Sequence, residues 1–265
     1  MTQHTSRFTR AQLFVTCLVD TFFPSVGNAV VNVLANQGVK SRVPDKQTCC
    51  GQPAFNAGLW NDARAMARHT IDIFSDDESP VVVPSGSCAD MVVHQYPVLL
   101  KDDLYLKKAE NLANRTFEFS QFLVDKLDVD DVGAQCGGCV AYHACCHGLR
   151  GLGIDPQPKK LLKHIKGITQ RSLSDAESCC GFGGLFAIKM SDISGAILQR
   201  KLDDIEASGA NIIVATDVSC LMHIEGGLRR RDKRIRTMHL AEILASSSDN
   251  QSCEARTELK DRTVT

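Results

Sequence analysis

The sequence predicts an α/β fold made of two duplicated halves, each a mostly parallel sheet flanked by helices, with the halves related by pseudo-two-fold symmetry. Short β-branched runs alternate with amphipathic helical patterns, and this alternation is typical of parallel sheets. A cysteine pattern, C…CCG…C, occurs twice, about 130 residues apart. Residues 81–91 and 212–222 also match as an apolar run, turn-forming residues, a cysteine and a helix start. The two predicted halves span residues 11–130 and 131–246.

The first half shows three short apolar runs separated by helical patterns. The predicted strands are residues 12–16, 39–43 and 81–83. The predicted helices begin at Pro24 and at Leu59, and the stretch 101–128 is helical in pattern. Gly38 is expected to end the first long helix. Cys17 and Cys88 directly follow predicted strands, so we expect them at the carboxyl edge of the sheet, where ligands bind in such folds.

The second half repeats this order. The predicted strands are residues 140–143, 167–173, 211–215 and 235–238. The predicted helices are 158–165, 190–208, one that begins at Cys220 and one that ends at Leu244. Residues 247–265 have no apolar periodicity and are predicted to be a disordered tail, in which Cys253 is interpreted as an incidental thiol.

Composition excludes several classes of protein. Of the 265 residues, 43% are hydrophobic and 23% are charged, with a net charge of −1, so nothing favours nucleic-acid binding. No apolar run approaches the length of a membrane span. The apolar stretch 11–19 resembles a short signal segment, but it is interpreted as a first strand, which predicts a cytoplasmic protein. Cytoplasmic thiols stay reduced, so the 12 cysteines indicate metal binding or catalysis.

The repeated cysteines are the candidate metal ligands. They are Cys17, Cys49, Cys50 and Cys88 in the first half and Cys146, Cys179, Cys180 and Cys220 in the second. Thiolates select iron–sulfur clusters, zinc or copper(I). The chain lacks the closely spaced cysteine knuckles of structural zinc sites within this repeat, and it lacks the ferredoxin run. Two adjacent thiols aimed at one target favour a bulky iron–sulfur cluster, one in each half.

Glycines beside the cysteine pairs are candidate cofactor-binding residues. Gly51 and Gly181 follow the pairs, where the backbone must turn tightly to direct neighbouring side chains to one site. Gly183 and Gly184 allow close approach, and their N–H groups are placed to hydrogen-bond cluster sulfur.

Two cysteine assignments stay open. Cys145 and Cys146 compete for one ligand role, and the spacing to Cys179 favours Cys146 because it matches the first half more closely. Cys136 and Cys139 form a C-x-x-C pair between the halves. This pair could be a redox pair or an extra metal clip, but we favour the interpretation that it is an incidental loop.

Four histidines lie near the cysteines in sequence: His143, His147, His223 and His239. A lone histidine is usually structural. His239 is the candidate catalytic residue, because a histidine near a cluster could relay a proton. No nucleotide-binding glycine fingerprint or P-loop is present, so a bound flavin or nicotinamide is not predicted.

The spacing of the two cysteine patterns resembles that of the cysteine-rich CCG domain. That domain occurs in heterodisulfide reductase, in an electron-transfer subunit of glycerol-3-phosphate dehydrogenase and in lactate-utilisation proteins. The segments 14–17, 49–54, 84–88, 179–184, 189–190 and 238–242 are most similar to the lactate-utilisation group. The resemblance covers about residues 11–246.

This resemblance implies an iron–sulfur electron-transfer subunit of a complex that oxidises L-lactate to pyruvate. Its implied partners are a ferredoxin-like iron–sulfur subunit and a third small subunit. The implied cofactors are two [4Fe–4S] clusters, in the family sometimes noncubane. The alternatives are a thiol–disulfide reductase like the heterodisulfide relative, and a zinc-binding scaffold.

The sequence departs from the complete CCG motif once in each half. The motif ends in C-x-x-C, and Ser85 and Asp217 replace the first cysteine of that pair. Each half therefore offers four patterned cysteines rather than five. We expect both replacing side chains to face the cluster, with helix capping as the alternative role for Asp217.

Overall fold

The computed structural model describes residues 8–247. The predicted tail, with Cys253, lies outside these residues except for Ser247. The strands of the first half are β1 (Arg10–Leu13), β2 (Lys40–Arg42), β3 (Val81–Val83) and β4 (Thr116–Glu118). Its helices are α1 (Cys17–Phe22), α2 (Pro24–Asn36), α3 (Gln52–Asn56), α4 (Trp60–Phe74), α5 (Gly86–Asp90), α6 (Tyr96–Leu99), α7 (Leu106–Asn114) and α8 (Phe119–Gln121). Two π-helical turns lie at Met91–Gln95 and Phe122–Lys126.

The second half has the same order of elements around its sheet. Its strands are β5 (Gln135–Tyr142), β6 (Lys166–Arg171), β7 (Ile212–Ala215) and β8 (Arg236–His239). Its helices are α9 (Pro156–Lys163), α10 (Phe186–Lys189), α11 (Ser191–Ala207), α12 (Val218–Arg230) and α13 (Leu240–Leu244), with a π-helical turn at His147–Gly151.

Both halves form a four-stranded, wholly parallel sheet with the same connectivity. The strand order is β2-β1-β3-β4 in the first half and β6-β5-β7-β8 in the second. The predicted α/β fold with duplicated halves is therefore confirmed. Parallel strands place all their carboxyl ends on one edge, so the loops that follow β1, β3, β5 and β7 open at the carboxyl edge of their own sheet.

Local sequence explains where α2 begins and ends. Helix α2 begins at Pro24, whose fixed φ suits the first helical turn, and buries Val30 and Leu34 on one face. Gly38 follows its end with a φ of +77°, as predicted. Burial of this apolar face against the sheet provides most of the free energy that holds the helix.

Three predictions need correction. Residues 101–128 are not one helical stretch, because β4 interrupts them at Thr116–Glu118. The first strand ends at Leu13 and does not reach Thr16, which has a φ of +73°. The C-x-x-C pair is not in a loop: strand β5 begins at Gln135, and a β-bulge between Gln135 and Gly138 accommodates the two glycines.

Helices of one half pack on helices of the other in matched pairs. Helix α2 contacts α13, and the corresponding helices α9 and α8 contact each other. Helix α1 contacts α12, and α5 in turn contacts the π-helical turn at His147–Gly151. Each contact has a partner in which the halves are exchanged, which is the expectation for pseudo-two-fold symmetry.

The largest apolar core crosses the boundary between the halves. It contains Leu34 and Phe122 from the first half and Val140, Leu162 and Ile243 from the second, all buried. Each half also has its own apolar cluster, centred on α4 and β3 or on α11, α12 and β7. The shared core fixes the carboxyl edges of the two sheets relative to one another.

Candidate metal centre

The eight predicted cysteines lie in loops and first helical turns that follow strands, or in the two CCG loops. Cys17 is the first residue of α1, after β1, and Cys88 lies in α5, after β3. In the second half, Cys146 precedes the π-helical turn after β5, and Cys220 lies in the first turn of α12, after β7. The expectation that these four cysteines lie where strands end is met, because parallel connections place them there.

The cysteines of the first half form one continuous set of contacting thiols, called here the first set. The thiol of Cys49 interacts with those of Cys17 and Cys50, and the thiol of Cys50 interacts with that of Cys88. Cys50 and Cys88 are buried, whereas Cys17 and Cys49 are half-buried. All four are free thiols.

The second set repeats this arrangement and contains one more thiol. The thiol of Cys179 interacts with those of Cys146 and Cys180, and the Sγ atoms of Cys180 and Cys220 are 3.1 Å apart. The Sγ of Cys145 lies within 4.8 Å of the Sγ of Cys220. The structure therefore does not choose between Cys145 and Cys146, because both join the set, at opposite ends.

Both sets line a single cavity of about 450 Å³. The cysteines of both halves, including Cys145, contribute to its wall, together with Ser85, Asp217, Gly183 and Gly184. Gly51 and Gly181 are not among the lining residues. The two sites that the sequence assigns to separate halves therefore open into the same cavity.

Gly51 and Gly181 have the conformations that the sequence predicts. Their φ angles are +87° and +92°, in the left-handed backbone region that residues with a Cβ rarely adopt. A Cβ on Gly181 would also lie 2.6 Å from the carbonyl oxygen of Ser194. The turn directs the N–H of Gly181 to the Sγ of Cys179, 3.3 Å away. This hydrogen bond holds the Cys179 side chain against the backbone of the turn.

The first cysteine of each adjacent pair is the preferred thiolate. Hydrogen bonds from Cys17 and Cys50 lower the pKa of Cys49 to about 3. Hydrogen bonds from Cys146 and Cys180 lower the pKa of Cys179 to about 2. A thiol that donates to a thiolate holds its proton more tightly, so contact with Cys179 raises the pKa of Cys180 to about 12. One thiolate per set is the form that attracts a metal cation.

Ser85 and Asp217 lie at equivalent positions of the two halves and meet each other. The hydroxyl of Ser85 donates to Asp217 Oδ2 at 2.9 Å, and the backbone N–H of Ser87 donates to the same oxygen at 3.0 Å. The backbone N–H of Ser219 donates to Asp217 Oδ1 at 3.0 Å. Asp217 thus caps α12 and at the same time binds the first half.

The Asp217 carboxylate is ionised despite its burial. Burial alone would raise the pKa of Asp217, but hydrogen bonds from Ser219 and Ser87 outweigh burial and lower it. Ser87 and Ser219 directly precede Cys88 and Cys220 in the chain. The single negative charge of Asp217 is therefore held next to the residues that precede Cys88 and Cys220, the last cysteines of the two sets.

A second polar contact between the halves surrounds Asp90. Asp90 accepts hydrogen bonds from His147 Nδ1 at 2.8 Å and from His94 Nδ1 at 2.7 Å. Burial would raise the pKa of Asp90, but these bonds outweigh burial and lower it, while donation to Asp90 raises the pKa of His147. Gln52 lies 3.4 Å from His147 Nε2, on the cavity side.

The other predicted histidines differ in their surroundings. His239 is buried, its Nδ1 accepts the N–H of Ala241, and it caps α13 rather than lining the cavity. His223 is half-buried, with its ring edge-to-face on Phe182. His143 is fully buried, and burial lowers its pKa to about 4.

The C-x-x-C cysteines lie apart from the site. Cys136 is packed in the shared core and Cys139 is a half-buried free thiol, and neither lines the cavity.

The donor chemistry of both sets fits an iron–sulfur cluster. Each set offers at least four thiols, the number that a [4Fe–4S] cluster requires. Sulfur donors dominate at the cavity wall, and such donors exclude magnesium and calcium and favour soft or borderline metals. The closed turn at each CCG sequence adds a backbone N–H that can stabilise negative charge on sulfur.

Two features of the site were missed at the level of sequence. The first is that Cys145 belongs to the second set. Its position next to Cys146 could have indicated this, but the match to the spacing of the first half made the two cysteines alternatives for one role. The bond between Asp90 and His147 had no sequence signal, because the residues lie in different halves.

The family model of the cysteine-rich (CCG) domain matches residues 11–92 and 140–225. Two relatives are named lactate utilization protein A. The relative from Bacillus cereus is 44% identical over 240 residues, which cover 90% of this chain and 100% of the relative. The relative from an Exiguobacterium species is 46% identical over 234 residues, or 88% of this chain and 95% of the relative.

A solved structure, of a hypothetical protein from Helicobacter pylori, shares the fold. It matches with a TM-score of 0.60 at 11% sequence identity, over 92% of this chain and 50% of that chain. Among residues 8–247, no helix is both long enough and apolar enough to cross a membrane.

Proposed function

Because the chain belongs to the cysteine-rich (CCG) domain family, we propose that it is the iron–sulfur electron-transfer subunit of a cytoplasmic complex that oxidises L-lactate to pyruvate. One cluster is bound by each half, through Cys17, Cys49, Cys50 and Cys88 and through Cys146, Cys179, Cys180 and Cys220. The observation that carries this proposal is the pair of contacting thiol sets that line one cavity.

Lactate as the substrate of the complex is supported by the relatives. Both are named lactate utilization protein A, and the matches extend over nearly their whole length. An iron–sulfur cluster supplies reversible one-electron transfer, whereas removal of hydride from lactate needs a cofactor that can accept it. The chain lacks a nucleotide-binding fingerprint, so substrate oxidation belongs to its partners, a ferredoxin-like iron–sulfur subunit and a third small subunit.

The residues of the chain hold the clusters and set their surroundings. The CCG turns keep two adjacent sulfurs on the same side of the chain, and the N–H of Gly181 stabilises negative charge on Cys179. Gly183 and Gly184 lie at the cavity wall, where their N–H groups can approach a bound cluster. Ser85 and Asp217 join the two sites without offering a soft ligand.

The test is the iron and acid-labile sulfide content after anaerobic reconstitution. We expect iron and sulfide in near-equal amounts, with about half of each lost in C49S/C50S and about half in C179S/C180S, because each pair serves its own cluster. C139S is the matched control, since Cys139 is a free thiol that does not line the cavity. Stoichiometric zinc without sulfide would overturn the proposal in favour of a zinc scaffold.

The second test is the activity of the isolated chain. We expect no useful lactate oxidation by the loaded chain alone and full activity only after addition of both partner subunits. Turnover of lactate by the purified single chain would contradict the assignment of an electron-transfer role.

A second candidate function is reduction of a small disulfide. The observation that favours it is the cavity of about 450 Å³ shared by both sets, which is large enough to place a small substrate between two redox centres. Two electrons and two protons would convert the disulfide to two thiols. Reduction of low-molecular-weight disulfides by the loaded, chemically reduced chain would favour this function over simple electron transfer.

A further inference from the structure

The two halves differ in the residues that lie beyond the shared four-thiol pattern. In the second half, His143, Cys145 and Cys220 bring one imidazole nitrogen and two sulfurs within 4.8 Å of one another. The corresponding residues of the first half are Phe14 and Thr16, counted from Cys17 as His143 and Cys145 are counted from Cys146. The first half therefore has no metal-binding side chain at these two positions.

His143 is a buried polar side chain without a partner. None of its surface is exposed, and neither Nδ1 nor Nε2 has a hydrogen-bond partner among the residues that the structure describes. A buried polar group left without a hydrogen bond destabilises the folded state. Phe14, by contrast, is apolar and packs on Phe74, with ring centroids 5.4 Å apart. An imidazole at this position is explained if a bound metal accepts its nitrogen lone pair.

Cys145 extends the second set towards His143. Its Sγ lies within 4.8 Å of the Sγ of Cys220, which in turn lies 3.1 Å from the Sγ of Cys180, and its thiol donates to the backbone carbonyl of His143. Cys145 also lines the cavity beside the four patterned cysteines. Metal–sulfur and metal–nitrogen bonds are about 2.0–2.3 Å long, so donors within 4.8 Å of one another can contact one ion after small side-chain movements.

We propose that His143 and Cys145 are additional ligands of the metal centre in the second half, so that the two halves hold chemically different centres. The first centre is bound by thiolates alone, and the second by thiolates and one imidazole, with Cys220 placed between the added ligands and the other cysteines. This inference rests on the proposed iron–sulfur function. The sequence predicts four cysteine ligands in each half, and the second half departs from this prediction because it offers five thiols.

The experiment uses full-length protein labelled with [15N]histidine, reconstituted anaerobically with iron and sulfide and reduced. Pulsed electron paramagnetic resonance detects nitrogen bound to a paramagnetic iron centre. We expect histidine nitrogen coupling in wild-type protein, its loss in H143F, and its persistence in H147Q and H223Q. H143F introduces the residue that the first half already has at this position, and its circular dichroism spectrum verifies that it folds.

A second variant gives a readout that does not depend on the histidine. C145T introduces the residue of the first half, and removal of one thiolate should raise the reduction potential of one centre and leave the other unchanged. T16C is the matched control, because it adds a thiol to the first half, where no buried histidine stands beside it. We expect T16C to leave the nitrogen coupling intact.

The outcomes separate this inference from the function on which it rests. Loaded wild-type protein without histidine nitrogen coupling, or with coupling that persists in H143F, would overturn the mixed ligand set and leave the iron–sulfur function standing. Unchanged potentials in C145T would remove Cys145 from the ligand set. Failure of the wild type to take up iron and sulfide would overturn the proposed function, and this inference with it.

Discussion

Asp217 carries a buried negative charge at the boundary between the two halves. Its carboxylate accepts hydrogen bonds from Ser87 and Ser219, each of which directly precedes a cysteine of one set. Asp217 belongs to the second half in sequence. Its position between the halves places it beside both.

We predict that D217N raises the potentials of both centres and leaves the iron content intact. Asparagine can still cap α12 through its side-chain oxygen, but it carries no charge, and a nearby negative charge disfavours the reduced form of a cluster. Potentiometric titration of the loaded protein measures the change. S85A, which removes a neutral partner of the same carboxylate, is the control.

Three results would each change the role of Asp217. A shift of only one reduction potential would show that the charge of Asp217 affects one cluster and not both. Unchanged potentials would reduce it to a capping residue. Loss of iron would make it an oxygen ligand.

Glu118 gives the protein a predicted pH dependence of stability. Burial raises the pKa of Glu118 to about 7, although hydrogen bonds from Ser120 and Gln121 partly oppose this. Because the folded pKa lies above the ordinary value of 4.5, the folded state binds more protons between these pH values. The contribution of Glu118 to the free energy of unfolding is therefore fully present below about pH 4.5. It is lost as the pH rises through 7, and the total loss is about 3 kcal/mol.

The variant E118Q removes this titration. Relative to wild type, we expect its free energy of unfolding to improve between pH 5 and pH 8, as measured by chemical denaturation. E78Q is the matched control, because the Glu78 side chain is 73% exposed. Parallel pH profiles for wild type and E118Q would show that Glu118 does not titrate in this range.

At the scale of secondary structure, the backbones of α5 and the π-helical turn of the second half approach each other closely. A Cβ on Gly86 would lie 3.0 Å from the backbone nitrogen of Gly148 and 3.1 Å from its Cα. The reverse change is easier, since a Cβ on Gly148 would meet Thr216 Oγ1 at 3.8 Å, an ordinary contact. Both elements carry residues of the cavity wall.

We predict that G86A destabilises the protein by about 1–3 kcal/mol and reduces cluster loading, because the backbones must separate and Cys88 moves with α5. G148A is the matched control and should be close to neutral in both measurements. Denaturant unfolding and iron analysis are the readouts. Equal behaviour of the two variants would show that the close approach is not required.

At the scale of the whole molecule, the largest apolar core belongs to neither half alone. The shared core takes Leu34 and Phe122 from the first half and Leu162 and Ile243 from the second. Separating the halves would expose all of these side chains to water, and burial of each large aliphatic or aromatic side chain contributes about 1.5–3 kcal/mol.

We therefore predict that residues 1–130 and 131–265, expressed separately, do not fold to soluble, cooperative units, whereas coexpression restores a complex. Solubility, circular dichroism and denaturant unfolding check this. A separate half that unfolds cooperatively would show that each CCG repeat is an independent domain and that the shared core is a docking surface.

The sequence by itself determined the parallel α/β fold, its duplication and the eight patterned cysteines. These follow from short-range information: apolar periodicity, glycine at tight turns, and cysteines placed directly after strands, where parallel connections put functional residues. It did not reveal β4, since Thr116–Glu118 is a three-residue strand between helical segments and carries no periodic signal of its own.

The tertiary structure decided how the two halves meet. Only the packing of α1 on α12 and of α5 on the turn after Cys146 brings both thiol sets to one cavity and joins Ser85 to Asp217 across 132 positions of sequence. The same packing buries His143 beside Cys145 and Cys220. Contacts across a pseudo-two-fold axis depend on the shapes of two surfaces distant in the chain, and local periodicity contains no information about them.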